Sequence, residues 1–209
     1  MRSPLSALIK KELKGYFDQP TGYILIVIFV ALLDYWFFRS AILNLEASLR
    51  PLFSIEFAID QLSLPWLLVL FVPAATMRLI AEEQRDGTLE ILLTQPIRGW
   101  VVLISKFTAA FIFVSVAILA TLGIPIAMAT AGNIDWGAVA AQYIGILFLS
   151  SAFVSIGLFT SSLSRNQIVA FILGLFFIMI LMLVGVERVA VSLPIRLASV
   201  LQTLSPVTH

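Results

Sequence analysis

Cysteine is absent from the 209 residues, and the only histidine is the last residue, His209. Disulfides, thiolate metal sites and cysteine nucleophiles are therefore excluded, and histidine-based catalysis and metal binding nearly so. No G-x-x-x-x-G-K-[ST] segment occurs, so the chain has no phosphate loop with which to cradle a nucleotide. Charge is scarce as well: 12% of the residues carry it, against about 25% in a soluble domain. Thirteen basic and twelve acidic residues leave a net charge of +1, which makes no case for nucleic acid or an acidic substrate. So few charges cannot cover the surface of a soluble globule of this length. What fills the chain is apolar, 60% of the residues at a mean hydropathy of +1.04. Composition alone places it in a lipid bilayer.

A membrane-spanning helix needs about 20 mostly apolar residues. Five stretches qualify: Thr21 to Phe38, Leu62 to Ile80, Val101 to Thr130, Ala138 to Ser161 and Gln167 to Val186. They must be helical, because an unpaired backbone group finds no water in lipid. Each is apolar on every face and too long for a barrel strand. The expectation is an all-α polytopic helical bundle forming a single domain over 1–209, with an interfacial helix in 1–20, five spans in 21–186 and an external segment in 187–209. In the first of these, Leu5, Leu8, Ile9, Leu13 and Phe17 recur at helical spacing beside Lys10, Lys11 and Lys14, so the helix is amphipathic and lies on the membrane surface. The apolar run that follows is too long for a secretory signal and ends in aromatics and Arg39, so it is read as retained.

Basic residues set the orientation. With the N-terminus in the cytoplasm, nine of the thirteen fall inside (Arg2, Lys10, Lys11, Lys14, Arg78, Arg85, Arg98, Lys106, Arg165) and four outside (Arg39, Arg50, Arg188, Arg196). The inverted arrangement reverses those numbers. Five spans then carry the C-terminus to the outside.

The segment from Pro73 to Trp100 joins spans two and three and holds the densest charge cluster, Glu82, Glu83, Arg85, Asp86 and Glu90. The second helix is expected to run past Glu83 and stop near Gly87. Asp86 or Thr88 can N-cap a short helix with Glu90 in its first turn, where a carboxylate suits the dipole. Leu89, Leu92, Leu93 and Pro96 form one apolar stripe, and Pro96 ends the element. The result is a charged elbow carrying a short amphipathic helix outside the bilayer. It is either an ordinary interfacial loop or a docking surface for a cytoplasmic partner.

At these residues the chain resembles the ABC-2-type transporter permeases, nearest the branch associated with gliding motility. The string Pro73-x-x-Thr76-Met77-Arg78, Ala81-Glu82-Glu83, Gly87-Thr88, Glu90 and Leu92-Leu93-Thr94-x-Pro96 carries the resemblance. Lys106-Phe107, Asp135-Trp136-Gly137, Ser155 to Phe159 and Ser161 to Ala170 follow in order, and Tyr16-Phe17-x-x-Pro20-x-x-Tyr23-Ile24 precedes them. Such permeases are similar to a six-span protein with both ends in the cytoplasm, whereas this chain stops at Leu204 to His209, so a sixth span is expected to be missing.

The resemblance implies a permease subunit in the bacterial cytoplasmic (inner) membrane. ATP and Mg would be bound by a separate ATPase subunit, with no cofactor or metal on this chain. Glu82, Glu83, Arg85, Gly87, Thr88, Leu89, Glu90, Leu92, Leu93 and Pro96 would couple to that ATPase, with Glu82, Glu83 and Arg85 as the charged rim. Ser164, Arg165, Asn166 and Gln167 would supply a smaller contact from a second turn. The partners implied are the ATPase, a second permease chain (identical or related) and membrane lipid, without nucleic acid. The competing reading is a non-transporting membrane assembly or scaffold factor coupled to an ATPase. An intramembrane enzyme would need paired acids, a Ser/His set or a metal cluster, and the spans offer only Asp34, which is read as reaching the interface beside Tyr35, Trp36 and Arg39. Arg78 and Lys106 are expected to snorkel to water. Pro65, Pro73 and Pro125 mark kinks, and Ser151 and Ser155, four apart, are expected in the bundle core.

The topology is open to direct measurement. Single cysteines at Arg85 and Asp135 should behave oppositely toward an impermeant maleimide added to intact cells. Position 135 should label and position 85 should not; the reverse pattern would invert the topology.

Overall fold

The structure is a computed structural model that describes residues 4–44, 48–55, 62–88, 98–130 and 132–185. The expected short helix over Leu89 to Pro96 and the external segment 187–209 lie outside the described residues. Everything described folds as helix and turn. The elements are α1 (Pro4–Phe17), α2 (Pro20–Asn44), α3 (Arg50–Phe53), α4 (Leu64–Thr76), α5 (Ala81–Arg85), α6 (Gly99–Ala120), α7 (Gly123–Ala129), α8 (Trp136–Leu163) and α9 (Gln167–Gly185).

Among the described residues, five helical segments are long and apolar enough to cross a bilayer: Pro20–Ile42, Leu64–Arg85, Gly99–Ala129, Trp136–Leu163 and Gln167–Val184. They coincide with the five stretches read from hydropathy, because an all-round apolar run of that length has no other stable state in lipid. They are not equivalent. The second span is 78% buried inside the protein, whereas the first and the last are only 22% buried. The helix α4 is thus the hub, packed against α2, α6, α8 and α9. Phe29 of α2, Phe71 of α4 and Phe113 of α6 form an aromatic column through the bundle.

Two spans are broken, and each break has a local cause. The third is interrupted where a kink was expected, near Pro125. It divides at Thr121–Leu122 into α6 and α7 because Pro125 has no N–H to give the carbonyl of Thr121. That carbonyl takes the N–H of Ile124 instead. The Thr121 hydroxyl donates to Ile118 and meets the hydroxyl of Tyr143 at 3.0 Å, tying the break to α8. The second span also divides, between Thr76 and Ala81, where Leu79 bonds back to Thr76 in a tightened turn. Its beginning follows the usual rule for proline, Pro65 standing in the first turn after Ser63.

Asp135 N-caps α8 by accepting from the backbone N–H groups of Gly137 and Ala138. The helix α8 meets α4 at Gly157, which has no room for a side chain: a Cβ there would run into Thr76. The small residues that matter for packing are therefore Gly157 and its neighbours. Ser155 is exposed and returns its hydroxyl to the carbonyl of Ser151, contrary to the expectation of a serine-lined core.

The Gly157 contact predicts a contrast between two glycines of one helix. Gly157→Ala should destabilise the solubilised protein by about 1–3 kcal/mol, the usual cost of overpacking. Gly145→Ala, with nothing near its Cβ, should be nearly neutral. Thermal unfolding in detergent reads the difference, and equal stability of the two variants would refute the close approach.

Candidate functional site

The amphipathic pattern of the first helix gains a partner in the fold. Leu5, Leu8, Ile9, Glu12, Leu13 and Tyr16 face inward, and Lys10, Lys11 and Lys14 face outward. The inward face lies along α6, with Tyr16 stacked on Phe113 at 4.4 Å between ring centroids. Glu12 is the one charged residue within this apolar stripe. Its carboxylate accepts from Lys106 Nζ at 3.2 Å. On the other side of the same ammonium, Glu83 of α5 accepts at 2.8 Å. Lys106 is 2% exposed, so the expectation that it would snorkel is wrong. The chain folds two carboxylates over it, and its charge is neutralised where it stands.

The break after α4 is arranged around the same place. Ser161 of α8 accepts from the backbone N–H groups of Ile80 and Ala81 and donates to the carbonyl of Met77. One hydroxyl is thus inserted into the bond that Ala81 would make to Met77 in a continuous helix. With Leu79 bonded to Thr76, the carbonyl of Ala75 takes a different donor, the hydroxyl of Tyr16, at 2.8 Å. Burial pushes the Tyr16 phenol well above its ordinary range, Glu12 pushes it further and Arg78 opposes the rise, so the hydroxyl remains a donor. Arg78 is partly buried and reaches Gln19, in the turn between α1 and α2, and Thr21, in the first turn of α2, so it too has protein partners where snorkelling was expected.

This elbow is where sequence placed the charged cluster. Glu82 and Arg85 are about half exposed and pair loosely at 4.0 Å, and Arg85 also meets Asp86 at 3.1 Å. Glu83 is turned inward. Gly87 ends α5 with φ +70°, a left-handed conformation that glycine adopts without strain. Thr88 returns its hydroxyl to the carbonyl of Glu83. Leu89, Glu90, Leu92, Leu93 and Pro96 lie outside the described residues.

The second predicted segment is brought to the same end of the bundle. Gln84 donates to the carbonyl of Ser162, one residue beyond Ser161. Ser164 caps the turn by accepting from Asn166, and Asn166 caps α9 by accepting from Ile168. Arg165 is exposed, and Gln167 opens α9. The residues missed by sequence reading are Glu12, Lys106 and Ser161. A carboxylate inside an apolar helical stripe, and a lysine beyond the first turn of a span, are signals that would have found the first two.

A sequence profile for the ABC-2 family transporter protein matches residues 6–199, nearly the whole chain. The chain belongs to the ABC-2 transporter family. No curated protein and no solved structure matches it. An ABC-2 family member with five bilayer-length helices is a multi-pass membrane protein. Asp34 stands partly buried in α2, one turn from the contact of Arg39 over the Trp36 ring, and among the described residues no group of acids, histidines or cysteines could hold a metal ion.

The hydroxyl splice predicts a specific sensitivity. Ser161→Ala removes the partner of two buried N–H groups and a carbonyl, and should cost about 1–3 kcal/mol for each group left unsatisfied. Ser162→Ala, whose hydroxyl bonds only within its own helix, should be close to neutral. Unfolding of the two variants in detergent separates them; equal effects would dismiss the splice.

Proposed function

We propose that this ABC-2 family protein is the membrane-embedded permease subunit of an ATP-binding cassette transporter in the bacterial inner membrane. Substrate crosses the bilayer through it, driven by ATP hydrolysis on a separate subunit that binds ATP and Mg. The permease itself performs no chemistry. The observation that carries the reading is the elbow. The charged segment Glu82 to Thr88 and the turn Ser164 to Gln167 emerge at one end of the bundle, where Gln84 bonds to the carbonyl of Ser162, just before that turn. Counting basic residues puts that end in the cytoplasm. The order of motifs along the chain supports a place near the gliding-motility branch.

In this reading the stripe Leu89, Leu92, Leu93 enters a groove of the ATPase, and Glu82 and Arg85 border the contact. Ser164, Arg165, Asn166 and Gln167 add a lesser one. Five spans are too few to enclose a pathway and shield it from lipid, so two permease chains, identical or related, assemble with two ATPase subunits. ATP-driven closure of the ATPase pair then reorients the spans as rigid bodies.

Burying two leucines is worth about 1.5–3 kcal/mol each, and exposed ion pairs add about 0–1 each. The leucines therefore dominate affinity. Leu92→Asp would bury an unpaired charge and should release the ATPase from solubilised membranes while membrane insertion stays normal. Glu82→Gln should retain it. If Leu92→Asp inserts normally and holds the ATPase at the parent level, the elbow is not the docking element. ATP hydrolysis by the captured complex that changes with added substrate would distinguish a transporter from a scaffold.

A further inference from the structure

The buried ammonium of Lys106 joins three elements that are far apart in sequence. Glu12 stands on α1, Glu83 on α5 and Lys106 inside α6, 94 residues from Glu12. An exposed ion pair would hold little. This one is different because Lys106 is 2% exposed and the two carboxylates are 12% and 18% exposed. Either carboxylate alone would neutralise the ammonium. With two, the lysine holds the elbow and the interfacial helix to the same atom. A cavity of about 240 Å³ opens between α1 and the elbow, lined by Glu12, Glu83 and Lys106 with Arg78 and Asp86. The second oxygen of Glu83 is buried and has no hydrogen-bond partner among the described residues. The Glu83 carboxylate is therefore anchored at one oxygen, at Lys106, while Ala81 and Gln84 tie the same helix to α8.

We infer that Lys106 is a positioning residue for transport: through Glu83 and Glu12 it locks the elbow to the interfacial helix α1, so that a push on the elbow moves α1 together with α6. This rests on the reading that the elbow docks an ATPase. Tyr16 of α1 and Gln19 of the turn that follows it make further ties to the α4 end, but at Ala75 and Arg78, before the elbow helix. Of the charged contacts, only the Lys106 bridge links α5 itself to α1. Glu83, at 2.8 Å, is the stronger arm, and Glu12, at 3.2 Å, the weaker. Removing Glu12 leaves a neutral pair, whereas removing Lys106 leaves two buried carboxylates facing each other.

The absence of cysteine makes the bridge measurable. Nitroxides at Lys14→Cys and Arg85→Cys, both exposed, report the spacing of α1 and the elbow in nanodiscs of phosphatidylethanolamine and phosphatidylglycerol. The parent should give one narrow distance. Lys106→Met, which leaves two buried carboxylates unpaired, should raise the separated population by about a hundredfold or more. Glu83→Gln, which keeps the Lys106–Glu12 pair but cuts its charged link to α5, should raise it by about tenfold or more, the loss of a hydrogen bond to a charged group. Glu12→Gln should have a smaller effect. A parent-like distribution in Glu83→Gln overturns the proposal, and that variant decides if Lys106→Met fails to fold.

A second arm uses nitroxides at Lys14→Cys and Leu163→Cys with the ATPase captured and ATP plus vanadate added. The parent should show a nucleotide-driven shift that disappears in Glu83→Gln while the ATPase stays bound. An undiminished shift in that variant, or none in the ATPase-bound parent, overturns the proposal. A parent that captures no ATPase overturns the docking reading instead, and the first arm then decides whether the bridge exists.

Discussion

A single buried ammonium group determines how one end of this bundle is built. A lysine that cannot reach water must be neutralised by partners of opposite charge, since an isolated ion in an apolar interior is too costly to keep. Lys106 meets that requirement by drawing in Glu12 and Glu83, and this fixes where α1 lies along α6 and how the elbow closes over both. Removing one member of such a buried pair costs about 3–5 kcal/mol, a large share of what a protein of this size has to spare. The surface pairs of Arg85 with Glu82 and Asp86 lie in water and are worth far less.

The same end shows how a membrane protein tolerates interrupted helices. Backbone groups released by a break must find partners inside the protein. At the α4–α5 break one serine hydroxyl serves two N–H groups and one carbonyl, and a tyrosine hydroxyl serves another carbonyl. At the α6–α7 break the threonine and tyrosine hydroxyls act together. At the first break side chains from other elements complete the backbone, and at the second Tyr143 of α8 holds the Thr121 hydroxyl that does so, so both breaks join neighbouring helices.

Much of the architecture was legible in the sequence. The five bilayer-length stretches, the amphipathic first helix and the stop near Gly87 all follow from local pattern, and each is present among the described residues. The candidate site was legible as a segment, since charge in so apolar a chain is conspicuous. Its internal arrangement was not. Glu83 was grouped with the acids beside it, yet it points the opposite way from Glu82 because adjacent residues on a helix are about 100° apart. Ser161 was read with its turn, although its hydroxyl belongs to the backbone of another span.

Sequence by itself determined that the chain belongs in a bilayer, which stretches are long and apolar enough to cross it and which segments between them are polar. Transfer into lipid is close to a sum over consecutive residues, so a window of the sequence contains the answer. Tertiary structure decided which span is central, which charge is buried and which hydroxyls mend the breaks. Those outcomes depend on partners 22 to 94 residues apart, as Thr121 and Tyr143, Tyr16 and Ala75, Ser161 and Ile80, and Lys106 and Glu12 are. No local pattern specifies such pairs; they exist only once the helices have packed.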